Sequence, residues 1–534
     1  MGKSYRIALL ALSVIVILVL LIACANVANL LTAQAAARAR EMALRVSIGA
    51  GRWRLIQLVL VESWLLAVFA TLIGCLFARW SAPFIVSRIN PPDNPARLVL
   101  PADWRVMGFA MALTIAVTFL FGLLPALRAS AVKPASALKG GGDPHSHRRL
   151  MHALIAAQVA FCFVVHFSAS AFVSTLHRLS NQPTGFSSER LLVLETVAKR
   201  PQPTELWYQA ADRLRALPGT ESVGIAGWAL LSGNGSNGFV SVNGALPHPL
   251  LDYFLNVSPR WLETMKIPLL DGRDLRPDDL TPGPDNLTTG VAIVNQAFAK
   301  EYFNGEDPVG KSFVRGKQHF NIVGFARDAR YRNMREPITP TAYIPLRLPS
   351  PEALSSATFL VRTVSSNPLT LASTLRQEIA RTRREFRVSN VRTQLEINEA
   401  QTIRERLLAM LAMFFGGVAV LLAGVGLYGV LDYSVLQRRR ELGIRIAVGA
   451  PASDIARRVT VDVFSMVALG AVVGGGAGEL LEPYVRSLLY EVKPSDWGIL
   501  LLPSLIILVA TLLAALPAVV RAIRIDSVAM LRAD

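Results

Sequence analysis

Seven runs of mostly apolar residues divide the chain, at about 7–31, 55–77, 106–127, 150–176, 407–435, 461–481 and 499–520. A helix that crosses a bilayer needs ~20 such residues in succession, so each run predicts a transmembrane helix. Between the fourth and fifth runs the pattern changes. Residues 177–404 are polar in texture, with short strand-like runs at 191–197, 239–242 and 320–325. Apolar residues recur at helical spacing over 204–217 and 369–384. One strand–helix–strand unit opens this segment and a similar one closes it, with a loop-rich middle between them. The expected fold class is an α-helical polytopic membrane protein of about seven spans with one α+β extracytoplasmic domain. The expected divisions are 1–140 (three spans), 141–178 (linker and fourth span), 179–404 (the α+β domain) and 405–534 (three more spans).

Composition agrees with this pattern. Of 534 residues, 52% are hydrophobic, above what soluble domains carry. The formal net charge is +17. In a membrane protein such an excess belongs to cytoplasmic loops, and no soluble basic domain stands out that would bind nucleic acid. Cys24, Cys75 and Cys162 all fall in apolar runs, so no disulfide framework is indicated.

The placement of Lys and Arg sets orientation. Arg38, Arg40, Arg45, Arg52 and Arg54 follow the first span, and Arg128, Lys133, Lys139, Arg148 and Arg149 follow the third. Arg438, Arg439, Arg440, Arg445, Arg457 and Arg458 follow the fifth, and Arg521, Arg524 and Arg532 follow the seventh. These segments share one side if every run crosses once. That side is the cytoplasm, which puts 179–404 outside. Lys3 and Arg6 pull mildly the other way. Together with the run ending Leu21-Ile22-Ala23-Cys24 they also resemble a lipoprotein signal cleaved before Cys24. Cleavage there would carry two arginine clusters outside, against the loop-charge rule.

The chain repeats itself. RAREMALRVSIGA (38–50) returns as RRRELGIRIAVGA (438–450), so that Arg40, Glu41, Arg45, Gly49 and Ala50 meet Arg440, Glu441, Arg445, Gly449 and Ala450. The match runs on into the next span, where Glu62 meets Asp462 and Gly74 meets Gly474. In the following span Asp103-Trp104 meets Asp496-Trp497, and LPALRA resembles LPAVVRA. One three-span module therefore occurs twice in the same orientation, which suggests a pseudo-two-fold axis along the membrane normal. Its cytoplasmic element is a short charged helix closed by Gly49 or Gly449. Two such helices suit docking on a two-fold-symmetric partner. Positive charge alone would set topology without this Arg-Glu-x-x-x-Arg order.

Other candidates carry less. Glu62 and Asp462 lie one or two turns inside their helices, where a carboxylate is a functional candidate; so near the cytoplasmic end, an ion pair with a loop arginine or interfacial hydration is the favoured reading. Gly470, Gly474 and Gly478 step by four and permit close helix packing. Trp104 and Trp497 read as interface anchors. Asp143, His145 and His147 lie in a Gly-rich linker with no further ligands converging, so no metal site is expected. Asn234, Asn256 and Asn286 match the short glycosylation pattern, which recurs by chance. No nucleophile–base set stands out. GEDPVGKS, Gly305 to Ser312, fits the phosphate-loop pattern in letters. A phosphate loop needs a strand before it and a helix after it. Here a helix is expected before, ending near Asn304-Gly305, and strands after, so nucleotide binding is not expected.

The motifs REMALRVSIGA and RELGIRIAVGA resemble the cytoplasmic motif of FtsX-like permeases of the MacB type, the membrane subunits of ABC transporters. The outer segment resembles their periplasmic domain through VSPRWLETMKIPLLDGRDL (257–275), VAIVNQAFAKEYFNGEDPVGKSF (291–313) and IVGFARDARY (322–331) with YIPL (343–346). A duplicated permease in one chain looks most like the duplicated orphan permeases of acidobacteria. The resemblance implies a permease subunit, not an enzyme, with ATP and Mg on a separate cytoplasmic ABC ATPase and no cofactor of its own. It implies ATPase-coupling helices at 38–50 and 438–450, with Arg40, Glu41, Arg45, Gly49, Arg440, Glu441, Arg445 and Gly449 as the contact positions. It further implies a bacterial inner-membrane location, a periplasmic segment 179–404, and a periplasmic adaptor or outer-membrane protein as a further partner. ATP hydrolysis would move the outer domain and expel a substrate. A mechanotransducer acting on a cell-envelope enzyme and a lipoprotein-releasing permease share the same parts. The chain departs from the pattern in starting its first copy at the second helix, without a first helix and first periplasmic domain.

Overall fold

The computed structural model describes residues 2–37, 52–89, 104–105, 108–116, 118–119, 144–247, 249–280, 289–346, 353–437, 439–448, 450–492 and 496–524. The chain divides into two compact units. One is membrane-type and comprises 1–90, 96–177 and 405–534; the other comprises 91–95 and 178–404.

The membrane-type unit opens with α1 (Gly2–Ala37), α2 (Arg52–Ile89) and α3 (Pro144–Ser180). Among the described residues six helices are long and apolar enough to cross a membrane: Arg6–Asn29, Leu60–Phe84, Met151–Ser180, Ile403–Leu436, Val463–Leu481 and Trp497–Ile523. Half of the third expected span, 106–127, lies outside the described residues; 108–116 and 118–119 are described and helical. In the span of α3, 72% of the residues of its most apolar window are buried, and in that of α2 none is fully buried. So α3 is the hub of the unit, and α2 turns Leu65, Leu66, Phe69 and Leu76 outward as a lipid-facing helix does.

The second unit is an α+β domain on one 12-stranded sheet. Its elements in chain order are β1 (Leu191–Gln202), α4 (Thr204–Arg215), β2 (Thr220–Ala226), β3 (Ser236–Gly238), β4 (Ser241–Val242), β5 (Asp252–Val257), α5 (Trp261–Met265) and β6 (Leu269–Gly272). There follow β7 (Thr289–Asn295), α6 (Gln296–Phe303), β8 (Ser312–Arg315), β9 (Gln318–Ala326), β10 (Thr341–Pro345), β11 (Leu354–Thr363), α7 (Ala372–Thr382), β12 (Phe386–Thr393) and α8 (Gln394–Ala400). The strand order is β12-β1-β11-β2-β5-β10-β7-β9-β8-β4, with β3 on β5 and β6 on β9.

The opening and closing strand–helix–strand units interlock. The last unit's β11 lies between β1 and β2, and β1 lies between β11 and β12, all antiparallel. Each unit alone would leave a gap one strand wide; together they make a split βαβ half-sheet. Its two helices cover one face. Trp207, Ala211 and Leu214 from α4 and Leu375 and Ile379 from α7 pack on Leu192, Val223, Phe359 and Val361.

The middle of this domain corrects the sequence reading. It is not loop-rich. It supplies β3 to β10, including the parallel pairs β10–β5 and β7–β9, around a second core of Phe254, Val294, Phe298, Phe313 and Phe320. Its strands are short, 2 to 9 residues, and divided by turns at Gly244, Gly272, Gly310 and Gly316. That spacing of turn residues imitates loop in a single sequence. The run 239–242 also shrinks, to the two residues of β4.

The chain then returns through α9 (Ile403–Gln437), α10 (Arg439–Ala447), α11 (Ala452–Val485) and α12 (Trp497–Ile523). The helices α2 and α11 are repeat partners, and both carry an internal proline at equivalent positions, Pro83 and Pro483. The glycines of α11 lie against α3. A Cβ on Gly470 would stand 2.6 Å from the Ala156 carbonyl oxygen, and one on Gly474 would stand 2.7 Å from that of Ala160. Gly478 faces the Phe167 ring, which a Cβ would approach to 3.1 Å. Small residues let helix backbones approach where lipid supplies no hydrophobic drive.

Candidate functional site

The surface helix α10 bears the second copy of the repeated motif. Glu441 sits in its first turn and Arg445 in its last, each matched to the helix dipole. The two are one turn apart, and Arg445 Nη2 donates to Glu441 Oε1 at 3.0 Å on the exposed face. The Ala450 N–H donates to the Arg445 carbonyl at 2.9 Å and ends the helix. Pro451 then stands in extended conformation, φ −68° and ψ 149°, just before α11 and separates it from α10.

The same face carries an apolar pair that the sequence reading did not single out. Ile444 is 51% exposed and Val448 is 84% exposed, four residues apart. Residues at this spacing are neighbours on a helix. An apolar pair flanked by an acid and a base is the kind of face that an amphipathic helix lays in a partner's groove. The i, i+4 spacing was the available signal, but a neighbouring bilayer run hid it.

The remaining positions divide as follows. Arg440 lies in the first turn of α10, with its side chain outside the described residues. Gly449 and the whole first copy, Arg40, Glu41, Arg45 and Gly49, also lie outside them. Arg521 of α12 pairs with Asp432 of α9 and stands 5.9 Å over the Tyr428 ring, so this loop-end arginine joins two helices of the second copy. Glu62 is half-buried and the Asp462 side chain is outside the described residues. Trp104 and Trp497 are both exposed. No cluster of metal-ligating side chains occurs among the described residues.

The segment Gly305 to Ser312 has the reverse of phosphate-loop architecture. The helix α6 precedes it and ends in left-handed residues, Asn304 at φ 54° and Gly305 at φ 82°. The strand β8 follows it. Its amides are already used: Gly305 N–H donates to Ala299 O, Glu306 N–H to Phe303 O, Gly310 N–H to Ile322 O and Lys311 N–H to Pro308 O. Val309 N–H donates to the Asp307 carboxylate at 3.0 Å. Lys311 Nζ binds Glu306 at 3.0 Å and lies 4.7 Å from the centre of the Phe303 ring. A phosphate cradle needs free, convergent N–H groups; these hold a turn together.

The described fold is thus that of a polytopic helical membrane protein with an α+β outer domain. The FtsX-like permease C-terminal family model matches residues 13–134 and 413–526, and the MacB-like periplasmic core domain model matches residues 155–382. The chain belongs to the FtsX-like, MacB-type ABC permease family. Among curated relatives, the macrolide export ATP-binding/permease protein MacB of Rhodospirillum rubrum is 29% identical over 198 residues, covering 35% of this chain and 30% of the relative. The protein of the same name from Aggregatibacter actinomycetemcomitans is 23% identical over 264 residues, covering 48% and 37%. The chain therefore spans about a third of the length of the curated relatives it matches. A solved structure of the periplasmic region of MacB from Actinobacillus actinomycetemcomitans aligns at 14% identity, with a TM-score of 0.29, over 42% of this chain and 96% of that one.

Proposed function

We propose that this chain is the membrane subunit of an ABC export system in a bacterial inner membrane. Cytoplasmic ATPase subunits, which hold the ATP and Mg, dock on α10 and on its first-copy counterpart at 38–50. Closure of the ATPases pulls these helices, and the spans joined to them carry the motion to the periplasmic domain, which drives out a substrate or hands it to a periplasmic adaptor. The reading rests on the face of α10, where Ile444 and Val448 are presented to solvent beside the Glu441–Arg445 pair. A helix that served only to orient the chain would need positive charge and no exposed apolar pair.

The test reverses charge while keeping the helix. Glu441→Lys with Arg445→Glu leaves an i, i+4 pair of opposite sign, which differs from the native order by only a few tenths of a kcal/mol. Membrane insertion should persist and recovery of the ATPase on co-purification should fall at least about tenfold, the equivalent of ~1.4 kcal/mol. Undiminished recovery would remove α10 from the interface.

A further inference from the structure

The membrane-type unit encloses a group of amide side chains that the docking function does not use. Asn26 and Asn29 on α1 and Gln158 on α3 are 5%, 4% and 2% exposed. Asn26 Nδ2 donates to the Leu422 carbonyl of α9 at 2.5 Å. Gln158 Nε2 donates to Asn26 Oδ1 at 3.0 Å and to the same Leu422 carbonyl at 3.3 Å. Gly426 of α9 makes the room: a Cβ there would stand 1.9 Å from Asn26 Oδ1 and 2.9 Å from Gln158 Nε2.

The shift of 400 that relates the two copies places Asn26 on Gly426 and Asn29 on Gly429. The helices α1 and α9 therefore meet at repeat-equivalent positions. In an isologous contact, equivalent residues face one another at the symmetry axis. At this point of the pseudo-two-fold one copy supplies amides and the other supplies space.

Hydrogen bonding within the group is incomplete. Asn29 Oδ1 and Nδ2 and Gln158 Oε1 have no partner among the described residues. A polar atom left unmatched in a bilayer interior is costly. Two cavities adjoin these residues. One, of about 20 Å3, is lined by Asn26, Asn29, Gly426 and Gly429 among others. The second, also about 20 Å3, is lined by Gln158, Cys162 and Thr511 within apolar walls. A water needs about 10–15 Å3 and at least two polar partners. The first cavity offers the Asn29 amide and Asn26 Oδ1. The second offers Gln158 Oε1 and the Thr511 hydroxyl oxygen, whose own proton goes to the Ile507 carbonyl at 2.7 Å. A water there would donate to both.

We propose that Asn26, Asn29 and Gln158 bind two water molecules, one in each cavity, and form with them a polar latch that joins the two permease copies at their pseudo-two-fold contact. Between helices in lipid, apolar burial supplies little drive, and directed hydrogen bonds fix register. Sliding α1 along α9 breaks the Asn26–Leu422 and Gln158–Asn26 bonds together, and mobile water can satisfy the freed amides in a second arrangement. The latch holds whether or not an ATPase docks, since all of its parts lie in this chain.

The experiment uses the full chain purified in detergent. If the first cavity is wet, Asn29→Leu evicts its water, and the midpoint of thermal unfolding falls by several degrees. If the cavity is dry, Asn29 is an orphan amide and the apolar replacement raises the midpoint; a rise overturns the water site. In a double-mutant cycle, Asn26→Leu and Gln158→Leu together should cost clearly less than the sum of the two singles. Additive effects overturn the latch. An experimental structure of the unaltered chain that resolves ordered water guards against variants that fail to insert. Density in both cavities supports the proposal, and empty cavities overturn it.

Discussion

Asp252 opens β5 with its side chain fully buried, and its Oδ2 accepts a hydrogen bond from the Tyr302 hydroxyl at 2.6 Å. Burial pushes the carboxyl up to about 7; the Tyr302 bond pulls the other way, and the Glu301 charge adds to the rise. An unfolded aspartate titrates near pH ~3.9. Between about pH 4 and about pH 7 the folded chain therefore holds a proton that the unfolded chain has released. The contribution is full below the unfolded value and is lost as pH rises through the folded one, so outer-domain stability falls across this window. Burial also raises Asp274 and Asp328, which act in the same direction. Hydrogen exchange at the β5 and β10 amides, corrected for its intrinsic pH dependence, should show easier opening at about pH 8 than at about pH 5. Asp252→Asn keeps an acceptor for Tyr302 and removes the proton, so it should flatten the slope. A slope as steep as the native one would acquit Asp252. None of this was legible in the sequence, where LLDYFL offers no sign that Tyr302 arrives from a helix 50 residues on. Arg362 escaped notice for the same reason. It reads as an ordinary strand arginine, yet it is 1% exposed, and its guanidinium donates to the carbonyls of Thr264, Glu189 and Ser187.

At the scale of elements, local patterns spoke more clearly. The helix at 204–217 and both interlocking strand–helix–strand units follow from periodicity, because each buries one face against its neighbours in sequence. The partners in the sheet did not follow, since β11 reaches β1 across more than 150 residues of separation. The glycine steps of α11 are an intermediate case: the spacing announced close packing, and only the structure names α3 as the partner. Gly474→Ala should force the helices apart, because the new Cβ would stand 2.7 Å from both the Ala160 carbonyl oxygen and the Phe163 Cβ. Core overpacking of this kind costs about 1–3 kcal/mol. Gly476 is the control, with nothing within 4 Å of its Cβ position. Gly476→Ala should leave the thermal midpoint of the detergent-purified chain unchanged or slightly higher, since alanine favours helix, while Gly474→Ala should lower it. Equal effects would mean that α11 does not rest on α3 through this stripe.

For the whole molecule, the side on which each unit lies is an argument from charge and parity. The 227 residues of 178–404 sit between α3 and α9, and the arginines of 438–458 follow α9. One crossing by α9, whose span Ile403–Leu436 is 34 residues long, is enough to part them. Arg54 depends on more, since three further runs separate it from the outer domain. Single cysteines can read both relations once the exposed native thiol is removed by Cys75→Ser; Cys24 and Cys162 are buried. A membrane-impermeant maleimide, applied after the outer membrane is opened, should label Thr370→Cys in intact cells. Arg457→Cys should react only after lysis, and Arg54→Cys should behave like Arg457→Cys. Labelling of Arg457→Cys in intact cells would invert the orientation and place the docking helix outside, beyond the reach of any cytoplasmic ATPase. Labelling of Arg54→Cys alone would leave the second copy in place and move the first, and would mean that one of the three runs between Arg54 and the outer domain does not cross. The two copies would then no longer share a face, and the pseudo-two-fold docking platform would be lost while α10 remained.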